Sequence, residues 1–393
     1  MTARTHWSAV WVVFAGGLAA GAHVGKVPPA LPAMRADLGL TLLQSGLVAT
    51  MLYAIGAIIG VFGGTVADRY GQKRFALIGL ATMAGGGVIG ALAHGYLPLL
   101  ASRFLEGVGF ILFTVGAAPL IVAATRPEDR TAAFSLWSAY MPAGGTLALL
   151  AAPLALASVG WRGLWMGLAA CTALCAILLA RKVPAPSFGG SVGSLRLLTE
   201  SMTQPGSLAL CVAFFCYVGQ WTSLMIWLPT FVVDERGLGQ TPAALLTAVF
   251  VAVNVPGNLL GGLLMKRGMP RWMMLAGASF AMGATALAVF AASLPDAWRL
   301  ASILAFSFLA GVIPSAVFTG APVHSRSPQH IGTTNGMIMQ ASHLGQFVIP
   351  ILIAWAASRM GGWGASLGAM LALAAVGMLS GFALRGIERR PRH

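Results

Sequence analysis

Five ionisable side chains, His23, Lys26, Arg103, Glu106 and His343, fall inside long apolar stretches of the chain. The first four form two pairs, His23 with Lys26 and Arg103 with Glu106, each spaced i, i+3, so both members of a pair share one helix face. Lys and Arg are permanent cations with several donors, the chemistry that holds an anion by charge-assisted hydrogen bonds. Burial favours the neutral form of a carboxylic acid while nearby cations favour the charged one, and Glu106 sits between these pulls as the candidate proton-coupling residue. Two fixed positive charges against one negative, with two histidines able to add more, make an electropositive environment that attracts anions and repels cations. Each residue also has a plainer reading. Arg103 and Glu106 can neutralise each other, Lys26 can snorkel towards headgroups, and His23 and His343 can be satisfied core imidazoles.

The elements that position these residues follow from composition. Hydrophobic residues make up 58% of the 393 positions and charged residues 9%, against about 25% charged in a soluble domain. A formal net charge of +14 raises the question of nucleic acid, but the basic residues recur in short clusters between apolar segments of about 20 residues, the length that crosses a bilayer. Nucleic-acid binding is therefore not expected. The candidate spans are 7–30, 42–66, 74–94, 97–123, 132–157, 163–180, 206–232, 242–265, 271–293, 299–322, 332–357 and 363–384, twelve in all. With the amino terminus inside, 17 of the 24 Lys and Arg fall in inner segments and 5 in outer loops, which puts both termini in the cytoplasm. Arg4 to Pro28 is long enough to span and lacks a small-residue cleavage site, so an uncleaved anchor is expected. Cys171, Cys175, Cys211 and Cys216 all lie in apolar segments and read as small packing residues, not as a disulfide or metal framework.

A Pro, Gly and Ser-rich stretch, 183–205, separates residues 1–182 from residues 206–393, and each side is a copy of the other. Arg103-Phe-Leu-Glu-Gly-Val aligns with Ser307-Phe-Leu-Ala-Gly-Val, and Leu31-Pro32 with Asp37 aligns with Leu228-Pro229 with Asp234. Opposite Arg103 and Glu106 stand Ser307 and Ala310; opposite His23 and Lys26 stand Gln220 and Ser223. The charges are confined to the first copy, and the second offers uncharged hydrogen bonders. Gln220 and the adjacent Trp221 join His23, Lys26, Arg103 and His343 as candidate substrate contacts. Asn254 and Asn258, spaced i, i+4, read as glue between helices.

Between the second and third spans the chain reads GGTVADRYGQKR, residues 63–74. Gly64, Asp68, Arg69, Gly71, Lys73 and Arg74 fill the pattern Gly-x-x-x-Asp-Arg-x-Gly-x-Lys-Arg, which resembles the cytoplasmic loop between helices 2 and 3 of major facilitator superfamily transporters. Arg103, Glu106, Gly107 and Gly109 resemble that family's Arg-x-x-Gln-Gly-x-Gly, with Glu for Gln. Pro142, Gly144 and Gly145 resemble the Gly-Pro-x-x-Gly-Gly of its drug-antiporter branch, with Met141 in place of the first Gly and one residue missing, and a contact of helix 5 with helix 8 there is the mark of that branch. The second copy of the loop, Gly262 to Gly268, has Lys266 about where the Asp belongs. Ser223-Leu-Met-Ile-Trp-Leu-Pro229 and Ser135-Leu-Trp-Ser are similar to segments of the cyanate and nitroimidazole transporter group.

The resemblance implies an all-α membrane protein of twelve transmembrane helices in two pseudo-symmetric six-helix bundles, 1–182 and 206–393, joined by a cytoplasmic linker, with the substrate site between the bundles. It implies a gate loop in which Asp68 latches the inner face in one state and releases it in the other. The expected function is alternating-access secondary transport of a small anion coupled to protons, by a monomer in a bacterial inner membrane; proton-coupled efflux of a drug or metabolite is the alternative. No phosphate-binding Gly-x-x-x-x-Gly-Lys-Ser/Thr loop occurs, no cofactor or metal is implied, and the scattered histidines provide no catalytic constellation, so an enzyme is not expected.

Overall fold

A computed structural model describes residues 4–59, 71–129, 133, 136, 137, 139–184, 200–291, 293–326 and 330–389. Among the described residues every long element is an α-helix: α1 (Trp7–Gly25), α2 (Val27–Leu38), α3 (Leu42–Ile59), α4 (Gln72–Ala91), α5 (Tyr96–Ala124), α6 (Tyr140–Lys182), α7 (Pro205–Arg236), α8 (Gln240–Lys266), α9 (Arg271–Phe290), α10 (Asp296–Ala310), α11 (Val312–His324), α12 (Ile331–Met360) and α13 (Ser366–Glu388). Gly160 breaks α6 into two spans with φ 67° and ψ −179°, a conformation open to glycine because it has no Cβ. The pairs α1 with α2 and α10 with α11 each form one interrupted span, so the described helices group into twelve apolar segments that overlap the predicted spans. Ten helices are long enough to cross a membrane, α6 carrying two segments and α3 being shorter.

The interruptions have local causes. Pro28 and Pro29 cannot donate to the carbonyls of Val24 and Gly25, so the ladder of α1 stops and Lys26 occupies the break. Pro314 likewise leaves the Ala310 carbonyl without a helical donor, and the chain breaks at Gly311.

Packing divides the chain into two compact units, residues 1–192 with 228–248 and residues 193–227 with 249–393. In the first, α4 packs on α5 and α6, α1 on α6, and α3 on α5; in the second, α9 packs on α13 and α10. Lipid tails are as apolar as leucine, so helices in a bilayer gain by close van der Waals approach over small residues. The glycines of the drug-antiporter-like segment serve that purpose against α1: a Cβ on Gly144 would overlap the Leu18 carbonyl, and one on Gly25 would overlap Gly145. These glycines therefore pack on helix 1.

Of the gate-loop residues, Gly64, Asp68 and Arg69 lie outside the described residues. Gly71 caps α4 with φ 93°, and Lys73 Nζ donates to the Ala180 carbonyl at 2.9 Å, tying the start of α4 to the end of α6.

Candidate functional site

The break at Lys26 turns its side chain into the first unit. Its Nζ lies 2.6 Å from Glu106 Oε1 and 3.2 Å from His23 Nδ1, and 4.3 Å above the centre of the Trp165 ring, close enough for a cation–π contact. Snorkelling is thereby excluded: Lys26 is 0% exposed.

Arg103 approaches Glu106 from the other side. Its Nη1 pairs with Glu106 Oε2 and donates to the His23 carbonyl at 3.1 Å, while its Nε donates to the Val48 carbonyl at 3.2 Å. The i, i+3 spacing on α5 lets the carboxylate and guanidinium meet side by side, and the contacts to His23 and Val48 tie α5 to α1 and α3. His23 completes the group, with Nδ1 3.2 Å from Glu106 Oε1 and Nε2 3.0 Å from Thr172 Oγ1. His23, Lys26 and Glu106 are 0% exposed and Arg103 is 1% exposed.

A carboxylate shared by two permanent cations leaves one net positive charge sealed in the first unit. Removing charges from water costs several kcal/mol per ion, and such a cluster persists only where geometry and hydrogen bonds compensate. Here Glu106 spends Oε1 on Lys26 and Oε2 on Arg103, and the guanidinium also donates to two main-chain carbonyls, from Nε to Val48 and from Nη1 to His23. Loosening either grip on Glu106 would leave a cation in need of another anion.

The sequence-predicted residues therefore separate into two groups. His23, Lys26, Arg103 and Glu106 meet within bonding distance in the first unit. Gln220, Trp221 and His343 belong to the second unit. There Trp221 Nε1 donates to Ser307 Oγ at 2.9 Å and its ring stacks on Phe250 with centroids 5.6 Å apart. Ser307 Oγ donates in turn to the Phe250 carbonyl at 2.5 Å. Gln220, 1% exposed, donates through Nε2 to the Cys216 carbonyl at 3.1 Å, and its Oε1 has no hydrogen-bond partner among the described residues. His343 is 7% exposed on α12. Asn254 Nδ2 donates to the Ser307 carbonyl at 2.8 Å and so joins α8 to α10, while Asn258 Nδ2 donates to Asn254 Oδ1 at 2.8 Å within α8.

Two residues of the cluster escaped the sequence reading. Trp165 and Thr172 sit in the second half of α6, within an apolar run where neither charge nor motif marks them. Their signal is periodic: Trp161, Trp165, Ala169 and Thr172 recur at helical spacing, all four are buried, and they form the inward stripe of that span. Among the described residues no group of three or more His, Cys, Asp or Glu could hold a metal ion.

A family model described as Major Facilitator Superfamily matches residues 11–350. A probable sulfoacetate transporter of Cupriavidus necator is 26% identical over 86% of this chain and 84% of its own. A probable nitrate/nitrite transporter of Mycobacterium tuberculosis is 26% identical over 81% of this chain and 80% of its own. Among solved structures, a bacterial homologue of the human lysosomal transporter Spinster superposes with a TM-score of 0.77 at 20% identity, over 98% of both chains, which speaks to the fold alone. With its twelve spans, its internal repeat and a family match over most of its length, the chain belongs to the major facilitator superfamily, as a multi-pass membrane protein that carries a small solute by secondary transport.

Proposed function

We propose that the solute is a small organic or inorganic anion moved together with a proton. The observation that carries this reading is the sealed cluster, in which one carboxylate occupies two permanent cations and leaves a net positive charge. Glu106 acts there as an internal stand-in for the anion: when its hold on Lys26 and Arg103 loosens, both cations present donors to a cargo of the same charge. His23 lies within the same hydrogen-bonded group, and Gln220, Trp221 and His343 are the second unit's contributions to substrate contact. That the relatives named above are probable transporters of sulfoacetate and of nitrate or nitrite, both anions, supports the same direction.

The reading extends to the frame. Residues 1–182 and 206–393 act as the two moving bundles with 183–205 as a cytoplasmic linker, both termini are cytoplasmic, and the monomer works in a bacterial inner membrane. Asp68 latches the inner face, so Asp68→Asn slows uptake while leaving expression intact.

The test is a thermal-shift series on the purified protein with sodium sulfoacetate, sodium nitrate, sodium glucuronate and tetraphenylphosphonium chloride, since a ligand that binds only the folded state raises its melting temperature. A rise with one or more of the anions and none with the lipophilic cation is expected. Stabilisation by tetraphenylphosphonium alone would overturn the anion reading and put drug or metabolite efflux first. Proteoliposomes with an imposed pH gradient then test coupling: accumulation of the stabilising anion follows the gradient and collapses when a protonophore is added.

A further inference from the structure

The hydrogen count around His23 determines which of its nitrogens carries a proton. Thr172 has one hydroxyl hydrogen, and it is donated to the Leu168 carbonyl at 2.8 Å. Toward His23 Nε2, 3.0 Å away, Thr172 Oγ1 can therefore only accept, so Nε2 bears the hydrogen. A neutral ring then has its lone pair on Nδ1, where Lys26 Nζ donates to it at 3.2 Å. Glu106 Oε1 stands 3.2 Å from the same Nδ1, and it too receives Lys26. A lysine ammonium thus bridges an imidazole lone pair and a carboxylate oxygen that would bond each other directly if one proton lay between them.

We propose that His23 is the proton acceptor of this site, held by Thr172 with Nδ1 open towards Glu106, and that it takes up one proton each time an anion draws Lys26 away. The proposal rests on the anion reading above and names the atom through which its coupling runs. Lys26 lies at the Pro28-Pro29 interruption, where the helix ladder is already open, so it can swing with little loss of backbone hydrogen bonding. Its departure leaves Glu106 Oε1 without its donor and His23 Nδ1 without its own. A hydronium ion then transfers its proton to the Nδ1 lone pair and leaves as water; the new N–H donates to Glu106 Oε1, and no electrons change hands. Glu106 stays ionised throughout, so the one proton taken up resides on His23.

Charge makes the exchange economical. With His23 neutral, Lys26, Arg103 and Glu106 sum to one positive charge. With a monoanion bound and His23 protonated the sum is the same, so the buried site faces the same net charge empty and loaded, and anion and proton enter one for one. The charged groups facing the ring are Lys26 from its own helix and Arg103 and Glu106 from α5; α6 brings Thr172 and α4 brings Gly87.

Withdrawal of the lysine can be imitated without any ligand. In full-length protein labelled with 15N-histidine in lipid nanodiscs, the His23 resonances are assigned by their loss in His23→Gln. At neutral pH the unmodified protein is expected to show a neutral ring with hydrogen on Nε2. Lys26→Met, read alongside Lys26→Gln, which keeps a donor and most of the side-chain length, should convert His23 from a minor to the major doubly protonated form. Adding Glu106→Gln to either should return it to neutral. Thr172→Val should lose the Nε2–H tautomer, and Thr172→Ser should keep it. A ring that stays neutral in both Lys26 variants overturns the acceptor role, and an unchanged tautomer in Thr172→Val overturns the positioning role. Failure of the anion reading shows instead in the thermal-shift series, which does not depend on the state of His23.

Discussion

The two copies of the repeat solve one packing problem with different chemistry. In the first, Arg103 of α5 donates to the Val48 carbonyl of α3, and one turn on Gly107 lies against the Leu52 carbonyl. In the second, Ser307 of α10 donates to the Phe250 carbonyl of α8, and Gly311 lies against the Asn254 carbonyl. Donor, acceptor and glycine correspond turn by turn. Neutral donors, the Ser307 hydroxyl and the Asn254 amide, join this helix pair in the second copy, where no guanidinium is present. The same holds at the other pair: Ser223, aligned with Lys26, turns its hydroxyl back to the Gly219 carbonyl of its own helix at 2.6 Å, whereas Lys26 crosses to Glu106 on α5. Charge in the first copy exceeds what the second copy needs for the same packing, and that excess is the ground for the transport role proposed for the cluster.

The largest effect separating the copies is expected at position 106. Glu106→Ala leaves Lys26 and Arg103 buried without their anion, at a cost of about 3–5 kcal/mol. Ser307→Ala in the aligned network removes neutral hydrogen bonds and costs about 1 kcal/mol. Equilibrium unfolding of both variants in mixed micelles measures the difference, and equal losses would erase the distinction between a charge kept for function and a bond kept for packing.

Next come the cations. Charge-assisted hydrogen bonds contribute roughly 1.5–3 kcal/mol each, so Lys26→Met and Arg103→Met are each expected to weaken anion binding about tenfold to a hundredfold. Ser223→Ala, the aligned change in the other copy, should alter it less than either. Isothermal titration with whichever anion stabilises the protein, and with a neutral analogue of it, decides the point: equal losses for charged and neutral ligands would remove the cations from the binding site.

The sequence carried the frame well and the cluster in part. Twelve spans, the repeat and the loop motif are properties of hydropathy and local spacing, which a chain displays whether or not it is folded. The i, i+3 pairs also placed His23 with Lys26 and Arg103 with Glu106 before any coordinates. That the pairs meet each other is a tertiary fact, set by how α1, α5 and α6 pack. The reading of Lys26 as snorkelling to the headgroups gave way to a 0% exposed ammonium because a carboxylate, an imidazole and an indole face converge on it. Thr172 and Trp165 were hidden for a related reason: a threonine and a tryptophan in an apolar span look like packing until a partner across the bundle is known.

The packing equivalence itself can be broken. A methyl group added at Gly107 would meet the Leu52 carbonyl, and one at Gly311 the Asn254 carbonyl, both backbone atoms that cannot rotate away. Gly107→Ala and Gly311→Ala are expected to destabilise by similar amounts, about 1–3 kcal/mol each. Thermal melts of the two variants in one detergent measure this, and a tolerated alanine on one side only would show that the copies pack less alike than their carbonyl contacts indicate.

The smallest effect concerns a second carboxylate that holds an arginine, this time at the surface. Asp37, beyond the apolar part of the first span, accepts from Trp161 Nε1 at 3.0 Å and pairs with Arg162, both just past the Gly160 break in α6. The hydrogen bonds from Arg162 and then Trp161 hold its carboxyl below the usual carboxylate range. Because the folded value is lowered, the contribution is present above the unfolded value of about 3.9 and disappears as pH falls through the lower folded one. Asp37 is 42% exposed, so water screens the pair, and Asp37→Asn is expected to cost less than about 1 kcal/mol at neutral pH. Melting temperatures of the two proteins should converge as the solution is acidified below the ordinary aspartate range, and high salt should narrow the gap at neutral pH. Glu106→Ala should keep most of its deficit in high salt, because its partners are out of reach of solvent ions. A salt response as large at Glu106 as at Asp37 would mean that the cluster is open to water, and the account of a sealed, charge-balanced site would fail with it.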